Sequence, residues 1–179
     1  MPYALYLAGP EVFLSDAVAV VDEQRRICRE LGLTPISPLD KGDGPGDQTA
    51  SRQDRIFAGN IALIEAADAI VANVAPFRGP DPDAGTAFEV GYAHALGKPV
   101  YLWADDLSTS AERVERLHGP LQTRADGMLA DRDGLMVENF GGPVNLMLVS
   151  PATAVLGSFE ACVRRVAEDV AVGALADRA

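Results

Sequence analysis

The chain has 179 residues, 48% of them apolar and 23% charged, which fits one globular domain with its own core and excludes a disordered chain. Acidic residues outnumber basic ones by 26 to 15, and the formal net charge is −11. This charge opposes broad attraction to nucleic-acid backbones or anionic lipid surfaces. We therefore expect neutral small molecules as partners, and neither a nucleic-acid polymer nor a membrane.

No apolar run reaches the ~18 residues that a membrane span needs, and no basic segment precedes a long hydrophobic stretch at the start of the chain. This pattern predicts a cytoplasmic protein. Cys28 and Cys162 lie far apart within helical patterns, so we interpret them as small buried residues rather than a disulfide. His94 and His118 lack a third ligand at metal spacing, and no metal site is predicted.

Short apolar segments rich in β-formers alternate with longer segments of helical period. The predicted strands are residues 3–8, 33–37, 69–74, 99–103 and, from a weaker pattern, 134–138. The predicted helices are residues 16–31, 52–67, 84–97 and 159–172. Because strands that are apolar on both faces suit a parallel sheet covered by helices, we predict an α/β fold. It is a doubly wound five-stranded parallel sheet with helices on both faces, of flavodoxin-like or Rossmann-like type.

We expect residues 1–172 to form this single domain and residues 173–179 to form a frayed tail. Ligands of such folds bind at the carboxyl ends of the strands, which here precede the loops after residues 8, 37, 74 and 103. The second of these loops contains the glycine-rich segment 41–47. That segment fits a mobile lid or an ordinary surface excursion, and the sequence leaves both readings open.

The usual phosphate-binding fingerprints are absent from the sequence. No GxGxxG follows the first strand, and neither GxxxxGK[ST] nor GxSxG occurs. We therefore predict no cofactor and disfavour dinucleotide enzymes, nucleoside triphosphatases and serine or cysteine nucleophiles.

One carboxylate stands out because its helix is otherwise small and apolar. Asp83 is a good N-cap for the helix at 84–97, and the residues that follow position 96 end it. Glu89 lies inside this helix without a Lys or Arg three or four residues away, and a carboxylate in such surroundings is costly unless it has a specific use. The helix begins at the carboxyl end of the third strand, so we expect Glu89 to face the ligand crevice, with Asp83 at its mouth.

Structural explanations remain open for each of these residues. Glu89 could pair with a distant arginine, and Asp83 could serve only as a cap, although capping is compatible with catalysis. Tyr6 could be ordinary strand packing, and Asn60 a polar residue on a helix rim.

Five stretches in chain order carry a resemblance to a known family. They are residues 6–13 (YLAGPEVF), 56–64, 69–80, 83–91 (DAGTAFEVG) and 145–147 (NLM). Together they resemble the nucleoside 2-deoxyribosyltransferase family from the first strand to Met147. The DxGTxxExGxA pattern and the late NLM are specific in combination, whereas YLAGP alone is shared with related nucleotide N-glycosidases.

The resemblance implies roles for three residues that would act on the reacting atoms. Glu89 matches the nucleophile that attacks the anomeric carbon of the 2-deoxyribosyl group. Asp83 matches the aspartate that handles the leaving and arriving base, and Tyr6 resembles the tyrosine that orients the nucleophile.

The same resemblance implies five substrate-binding positions. Gly9 and Phe13 fall beside the substrate, with Phe13 next to the base. Asn60 stands where some members carry aspartate, which leaves its part in base recognition uncertain. Asn145 and Met147 match residues that reach into a neighbouring subunit's site, so the resemblance also implies a homo-oligomer with shared sites.

Two other functions compete with deoxyribosyl transfer. An N-glycosidase acting on 2′-deoxynucleoside 5′-monophosphates would use the same glutamate but needs groups that bind phosphate. We expect Glu11, in the loop after the first strand, to repel a phosphate there. A non-catalytic nucleoside-binding module would also use this fold, because fold alone does not determine function.

Overall fold

The computed structural model describes residues 3–40 and 50–175. The strands are β1 (Ala4–Ala8), β2 (Thr34–Ile36), β3 (Ala69–Asn73), β4 (Val100–Trp103), β5 (Gln122–Thr123), β6 (Leu129–Ala130) and β7 (Ala154–Leu156). The helices are α1 (Ala17–Glu30), α2 (Arg52–Ala66), α3 (Ala84–Ala95), α4 (Ser110–His118), α5 (Leu146–Val149) and α6 (Phe159–Ala171). The segment 41–47 and the end of the tail, 176–179, lie outside the described residues.

The main sheet has five parallel strands in the order β2-β1-β3-β4-β7. The chain therefore moves outward in one direction from β1 to β2 and in the other from β3 to β7. This reversal leaves a crevice at the carboxyl ends of β1 and β3, where ligands of doubly wound sheets bind. The predicted doubly wound, flavodoxin-like sheet is confirmed.

The fifth strand of this sheet is β7, and the prediction of a strand at residues 134–138 is wrong. Within that segment only Met136 pairs, through an isolated antiparallel bridge to Ala130 in the small β5–β6 sheet. Leu135 and Met136 are exposed, so their apolar character does not mark a strand covered on both faces. β7 was missed because three residues are too few to show a period.

Alternation along β1 divides the core into two layers. Leu5 and Leu7 pack with α1 and α6, together with both cysteines, Cys28 and Cys162, which are fully buried as predicted. Tyr6 points to the opposite face, toward the core that includes residues of α2 and α3. The strand therefore delivers the Tyr6 side chain to the helix that carries Glu89.

The segment 109–132, whose role the sequence leaves open, contains helix α4 and the β5–β6 hairpin. Thr109 and Glu112 form a reciprocal capping box that begins α4. None of the helices in the described ranges combines the length and the hydrophobicity of a membrane span.

Candidate active site

A cavity of about 690 Å³ lies at the carboxyl ends of β1 and β2, between α2 and the first turns of α3. We call it the site cavity. Its volume falls within the range of small-molecule sites, about 300–1,000 Å³. Five predicted site residues line it: Gly9, Phe13, Asn60, Asp83 and Glu89. The loop after β4, also expected at the ligand end of the sheet, contributes no lining residue among those described.

Glu89 and Tyr6 meet at the wall of the site cavity. The Tyr6 hydroxyl donates a hydrogen bond of 2.6 Å to Oε1 of Glu89, although the two residues are 83 positions apart in sequence. Tyr6 is fully buried, and Glu89 is partly buried while lining the cavity. The tyrosine therefore fixes one carboxylate oxygen, so that Oε2 can take part in chemistry.

Burial raises the pKa of the Glu89 carboxyl from 4.5 to about 7; the Tyr6 hydrogen bond opposes this rise, and the charge of Asp83 adds to it. Among the described residues Glu89 forms no salt bridge, so the alternative of an arginine partner is not what the structure contains. A carboxylate that is desolvated and unpaired in a cavity is typical of functional sites.

Asp83 is both a helix cap and a residue of the site cavity, the two positions that the sequence allowed for it. Its Oδ2 accepts hydrogen bonds from the Thr86 backbone N–H at 2.9 Å and from the Thr86 hydroxyl at 3.2 Å, which caps α3. Asp83 also lines the site cavity, near the carboxylate of Glu89. The structure therefore holds two acidic side chains at one end of one helix.

Gly9 follows β1, where the backbone comes close to a buried carboxylate. A Cβ on Gly9 would lie 1.9 Å from Oε2 of Glu11 and 2.9 Å from Cβ of Asn73. Any larger residue would push these groups apart, so glycine is required here by close approach.

Glu11 is placed differently from the sequence expectation. It is buried, and its Oε1 accepts hydrogen bonds from the side chains of Asn73 at 2.8 Å and Gln24 at 3.3 Å. It does not line the site cavity, whereas Arg52 and Arg55 do. The expected repulsion of a phosphate by Glu11 is therefore not supported by its position.

Asn145 and Met147 are not brought to the site cavity of their own chain. Asn145 caps α5 by accepting a hydrogen bond from the Met147 backbone N–H, and its amide donates to Glu138 at 2.7 Å. The Met147 side chain is 73% exposed. Neither residue is therefore part of the site cavity that a single chain presents.

Sequence reasoning missed the contacts that surround Phe13. Its ring stacks on Phe77 with centroids 5.3 Å apart, and the guanidinium of Arg78 lies over both rings. Phe77 and Arg78 belong to the quoted segment 69–80, but a single sequence does not reveal which loop residues meet across two strands.

In residues 3–40 and 50–175, three or more His, Cys, Asp or Glu side chains do not converge in an arrangement that could hold a metal ion. The polar side chains that line the site cavity instead carry two carboxylates, one amide, one hydroxyl and two guanidinium groups. This set suits proton transfer and attack on an electrophilic carbon.

Comparison with known proteins agrees with the geometry. The family model described as nucleoside 2-deoxyribosyltransferase matches residues 5–147, which include each of the predicted site residues. The chain belongs to the nucleoside 2-deoxyribosyltransferase family. The resemblance inferred from the sequence motifs is confirmed.

The 2-desoxiribosyltransferase from Leishmania mexicana is similar in structure, with 38% identity and a TM-score of 0.73, over 93% of this chain and 98% of that one. A conserved protein from Enterococcus faecalis V583 shares the fold at 21% identity, with a TM-score of 0.60 over 94% and 99% of the two chains. Uncharacterized protein C191.05c of Schizosaccharomyces pombe is 31% identical over 80% of this chain and 74% of its own. Together the family and the Leishmania structure support a glycosyl-transferring enzyme.

Proposed function

We propose that the protein transfers the 2-deoxyribosyl group of a deoxynucleoside from one nucleobase to another by double displacement, with Glu89 as the nucleophile. The observation that carries this proposal is the Glu89 carboxylate in the wall of the site cavity, held by Tyr6 and free of cationic partners among the described residues. No cofactor takes part.

In the first displacement, Oε2 of Glu89 attacks C1′ of the deoxynucleoside and forms a glycosyl ester. The C1′–N bond breaks, and its electron pair goes to the base nitrogen, which takes a proton from the carboxyl of Asp83. Positive charge develops on the sugar and negative charge on the base, so a carboxylate and a proton donor stabilise both ends of the breaking bond.

In the second displacement, a new base attacks C1′ and gives its proton to Asp83, while the ester bond to Glu89 breaks and restores the carboxylate. Two inversions retain the configuration at C1′. The incoming base, bound against the apolar side chains of Val12, Phe13 and Ile56, limits access of water to the ester. The second base then reacts in place of water.

The base is placed against Phe13 and Asn60 in this proposal, and the sugar lies between Gly9 and Glu89. Phe13 offers an exposed ring for stacking, and the Asn60 amide offers both a donor and an acceptor. An amide can pair with purines and pyrimidines alike, so Asn60 by itself does not select either class.

We also propose that the protein is a homo-oligomer with shared sites, in which Asn145 and Met147 of one copy approach the sugar in the next. Their exposed position supports this arrangement. An aromatic run on α2 and α3 offers a surface for the contact: Phe57 and Phe88 are exposed, with ring centroids 5.9 Å apart, and Phe88 stacks on Tyr92.

Hydrolysis of 2′-deoxynucleoside 5′-monophosphates is the second candidate function. Arg52 and Arg55 line the site cavity, and guanidinium groups are good phosphate ligands. This alternative uses the same Glu89 but lets water, rather than a second base, resolve the ester.

One experiment separates these functions. The protein is mixed with a 2′-deoxynucleoside or its 5′-monophosphate and a panel of free bases, and the products are resolved by chromatography. An exchanged nucleoside indicates transfer, free deoxyribose or its phosphate indicates hydrolysis, and neither product indicates a binding module. Glu89→Ala should fold and lose the exchange; retained exchange by the folded variant would overturn the assignment.

A further inference from the structure

We propose that Arg78, acting together with Phe77, is a positioning residue that holds Phe13 at the mouth of the site cavity and thereby sets the affinity for the nucleobase. This inference rests on the proposed function, because it takes Phe13 as the stacking surface for the base. It assigns a role to two residues of the loop after β3 that do not themselves line the cavity.

The contact joins two loops from neighbouring strands. Phe13 ends the 3₁₀ turn after β1, and its ring is 57% exposed, which leaves it without a packed core to fix its orientation. Phe77 supplies one stacking partner at an interplanar angle of 23°. The Arg78 guanidinium carbon lies 4.6 Å from the Phe77 ring centroid and 5.4 Å from that of Phe13.

A cation over aromatic rings at these distances is attracted to the negative faces of the rings. The guanidinium therefore favours the arrangement in which Phe13 and Phe77 stay together. Because Phe13 also lines the cavity, this attraction fixes the surface that a base meets when it enters.

A buried polar connection lies beneath the aromatic one. Glu11, two residues before Phe13, accepts a hydrogen bond from the Asn73 side-chain amide at 2.8 Å, and the Asn73 side-chain oxygen Oδ1 accepts one from the Ala75 backbone N–H at 2.9 Å. The two loops are thus joined at their bases as well as at their tips. Arg78 acts on a loop pair whose separation is already set.

The backbone of Arg78 provides a sharp test. It has a φ of +56°, and it is the non-glycine residue with positive φ in the described chain. If the loop needed only this conformation, glycine would serve at least as well, since it adopts positive φ without steric cost. An arginine in this conformation therefore points to a function for its side chain.

The experiment compares Arg78→Gly, Arg78→Lys and Phe13→Ala with the parent protein. Arg132→Gly is the control, because this arginine is also exposed and lies in the turn after β6. Affinity for free hypoxanthine and free thymine is measured by calorimetry in a Glu89→Gln background, where no transfer can occur. The KM of the accepting base and kcat are measured with Glu89 intact.

We expect Arg78→Gly to keep the melting temperature within a few degrees and to weaken base affinity and raise the base KM by about two- to fivefold, the size of an exposed cation–π contact. The kcat at saturating base should stay within about twofold, because Arg78 touches no reacting atom. Arg78→Lys should recover part of the loss, and Phe13→Ala should weaken the base about tenfold or more, as loss of a stacking surface does.

Base affinity and base KM that are unchanged in a folded Arg78→Gly protein would overturn this inference and leave the proposed function intact. An equal fall in kcat for Arg78→Gly and Arg132→Gly would also overturn it, since that result indicates a general loss of structure. If base binding depends on Arg78 but the parent protein shows no exchange activity, the proposed function is contradicted and the role of Arg78 stands. Absence of base binding in the Glu89→Gln protein would contradict both.

Discussion

Tyr6 on β1 and Glu89 on α3 are joined by a hydrogen bond of 2.6 Å that crosses from the central sheet to the wall of the site cavity. The phenol is buried beneath the helix, and Glu89 raises its pKa further, so the hydroxyl stays protonated and remains a donor over the working pH range. The bond therefore favours the charged form of the glutamate and fixes its orientation at the same time.

Tyr6→Phe should lower kcat by about tenfold or more and move the acid limb of the pH–rate profile upward. Without the donor, only burial and the charge of Asp83 act on Glu89, and both raise the pKa of its carboxyl. Steady-state rates between pH 5 and 9 measure both effects. Tyr101→Phe is the matched control, because Tyr101 is also a buried strand tyrosine that donates to a carboxylate, Asp169, on the other side of the sheet.

An acid limb shared by Tyr6→Phe and the parent protein would show that the tyrosine does not act on the titration of Glu89. A similar loss of activity in Tyr101→Phe would indicate that the phenol hydroxyls act through stability alone.

The pH dependence of the parent enzyme follows from the raised pKa of Glu89. Only the carboxylate form can attack C1′, and its pKa is about 7 rather than 4.5. We expect kcat/KM for the deoxynucleoside to fall about tenfold per pH unit below 7, as the Glu89 carboxylate becomes protonated. A profile that is flat from pH 5 to pH 8 would contradict Glu89 as the titrating nucleophile.

Glu89→Gln should stabilise the protein at neutral and alkaline pH. Between pH 4.5 and about 7 the native carboxyl binds more protons than the unfolded one, so its burial lowers the stability progressively as the pH rises. Above pH 7 the full cost is present, on the order of 1–3 kcal/mol. Glutamine has no charge to bury, and its carbonyl oxygen can still accept from Tyr6.

Urea unfolding of both proteins at pH 4 and pH 8 measures this difference. We expect the free energy of unfolding of Glu89→Gln to exceed that of the parent at pH 8 and to match it at pH 4, where Glu89 is protonated in both states. A difference of equal size at the two pH values would mean that charge burial is not its cause.

Asp83 caps α3 and, in the proposed mechanism, also transfers a proton; two substitutions separate these roles. Asp83→Asn keeps an acceptor for the Thr86 backbone N–H but cannot supply a proton, so kcat should fall by about 10²–10⁴-fold with little change in stability. Asp83→Ala should lose about 1 kcal/mol of stability in addition. Rates and melting temperatures of the two variants are compared.

Ser158→Ala provides the control for capping alone, because Ser158 caps α6 away from the site cavity. It should lower the melting temperature while kcat stays unchanged. If Asp83→Asn keeps the parent's kcat, Asp83 is a cap and not the proton donor.

The elements of the fold were predictable where a segment is long enough to show its hydrophobic period. The predicted helices at 16–31 and 159–172 match α1 and α6 within one residue at each end, because their apolar stripes are long. Strand β7 and the short helix α5 were not predicted, because three or four residues are too few to show a hydrophobic period. The contacts of Phe77 and Arg78 with the loop after β1 were not predicted, because they depend on which strands become neighbours in the sheet.

The position of Glu89 in the cavity wall was predictable from a polar residue in apolar surroundings. Glu89 was recognisable because its helix is otherwise small and apolar, and the motif resemblance supplied its partner Tyr6. Glu11 shows the limit of this reasoning, since its charge suggested contact with a ligand whereas its carboxylate is used to join β3 and α1 to the first loop. A sequence gives the charge of a side chain but not the direction in which a loop turns it.

The role of Asn145 and Met147 can be tested with mixed oligomers. Met147→Ala removes a side chain that is 73% exposed, so the folding of the single chain should not change. If Met147 completes the site of a second copy, kcat/KM for the deoxynucleoside should fall by about tenfold. Met128→Ala, at another exposed methionine, is the control and should leave kcat/KM unchanged.

Asn145→Ser keeps a capping oxygen for α5 while it removes the amide, and it should abolish base exchange in the homo-oligomer. Neither Glu89→Ala nor Asn145→Ser homo-oligomers should exchange bases, but a mixture refolded together should recover part of the activity. Each mixed pair contains one site with both an intact Glu89 and an intact Asn145 from the neighbouring copy, and about a quarter of the sites meet this condition when the copies assort at random. Verified mixed oligomers without recovered exchange would show that each site is completed within its own chain.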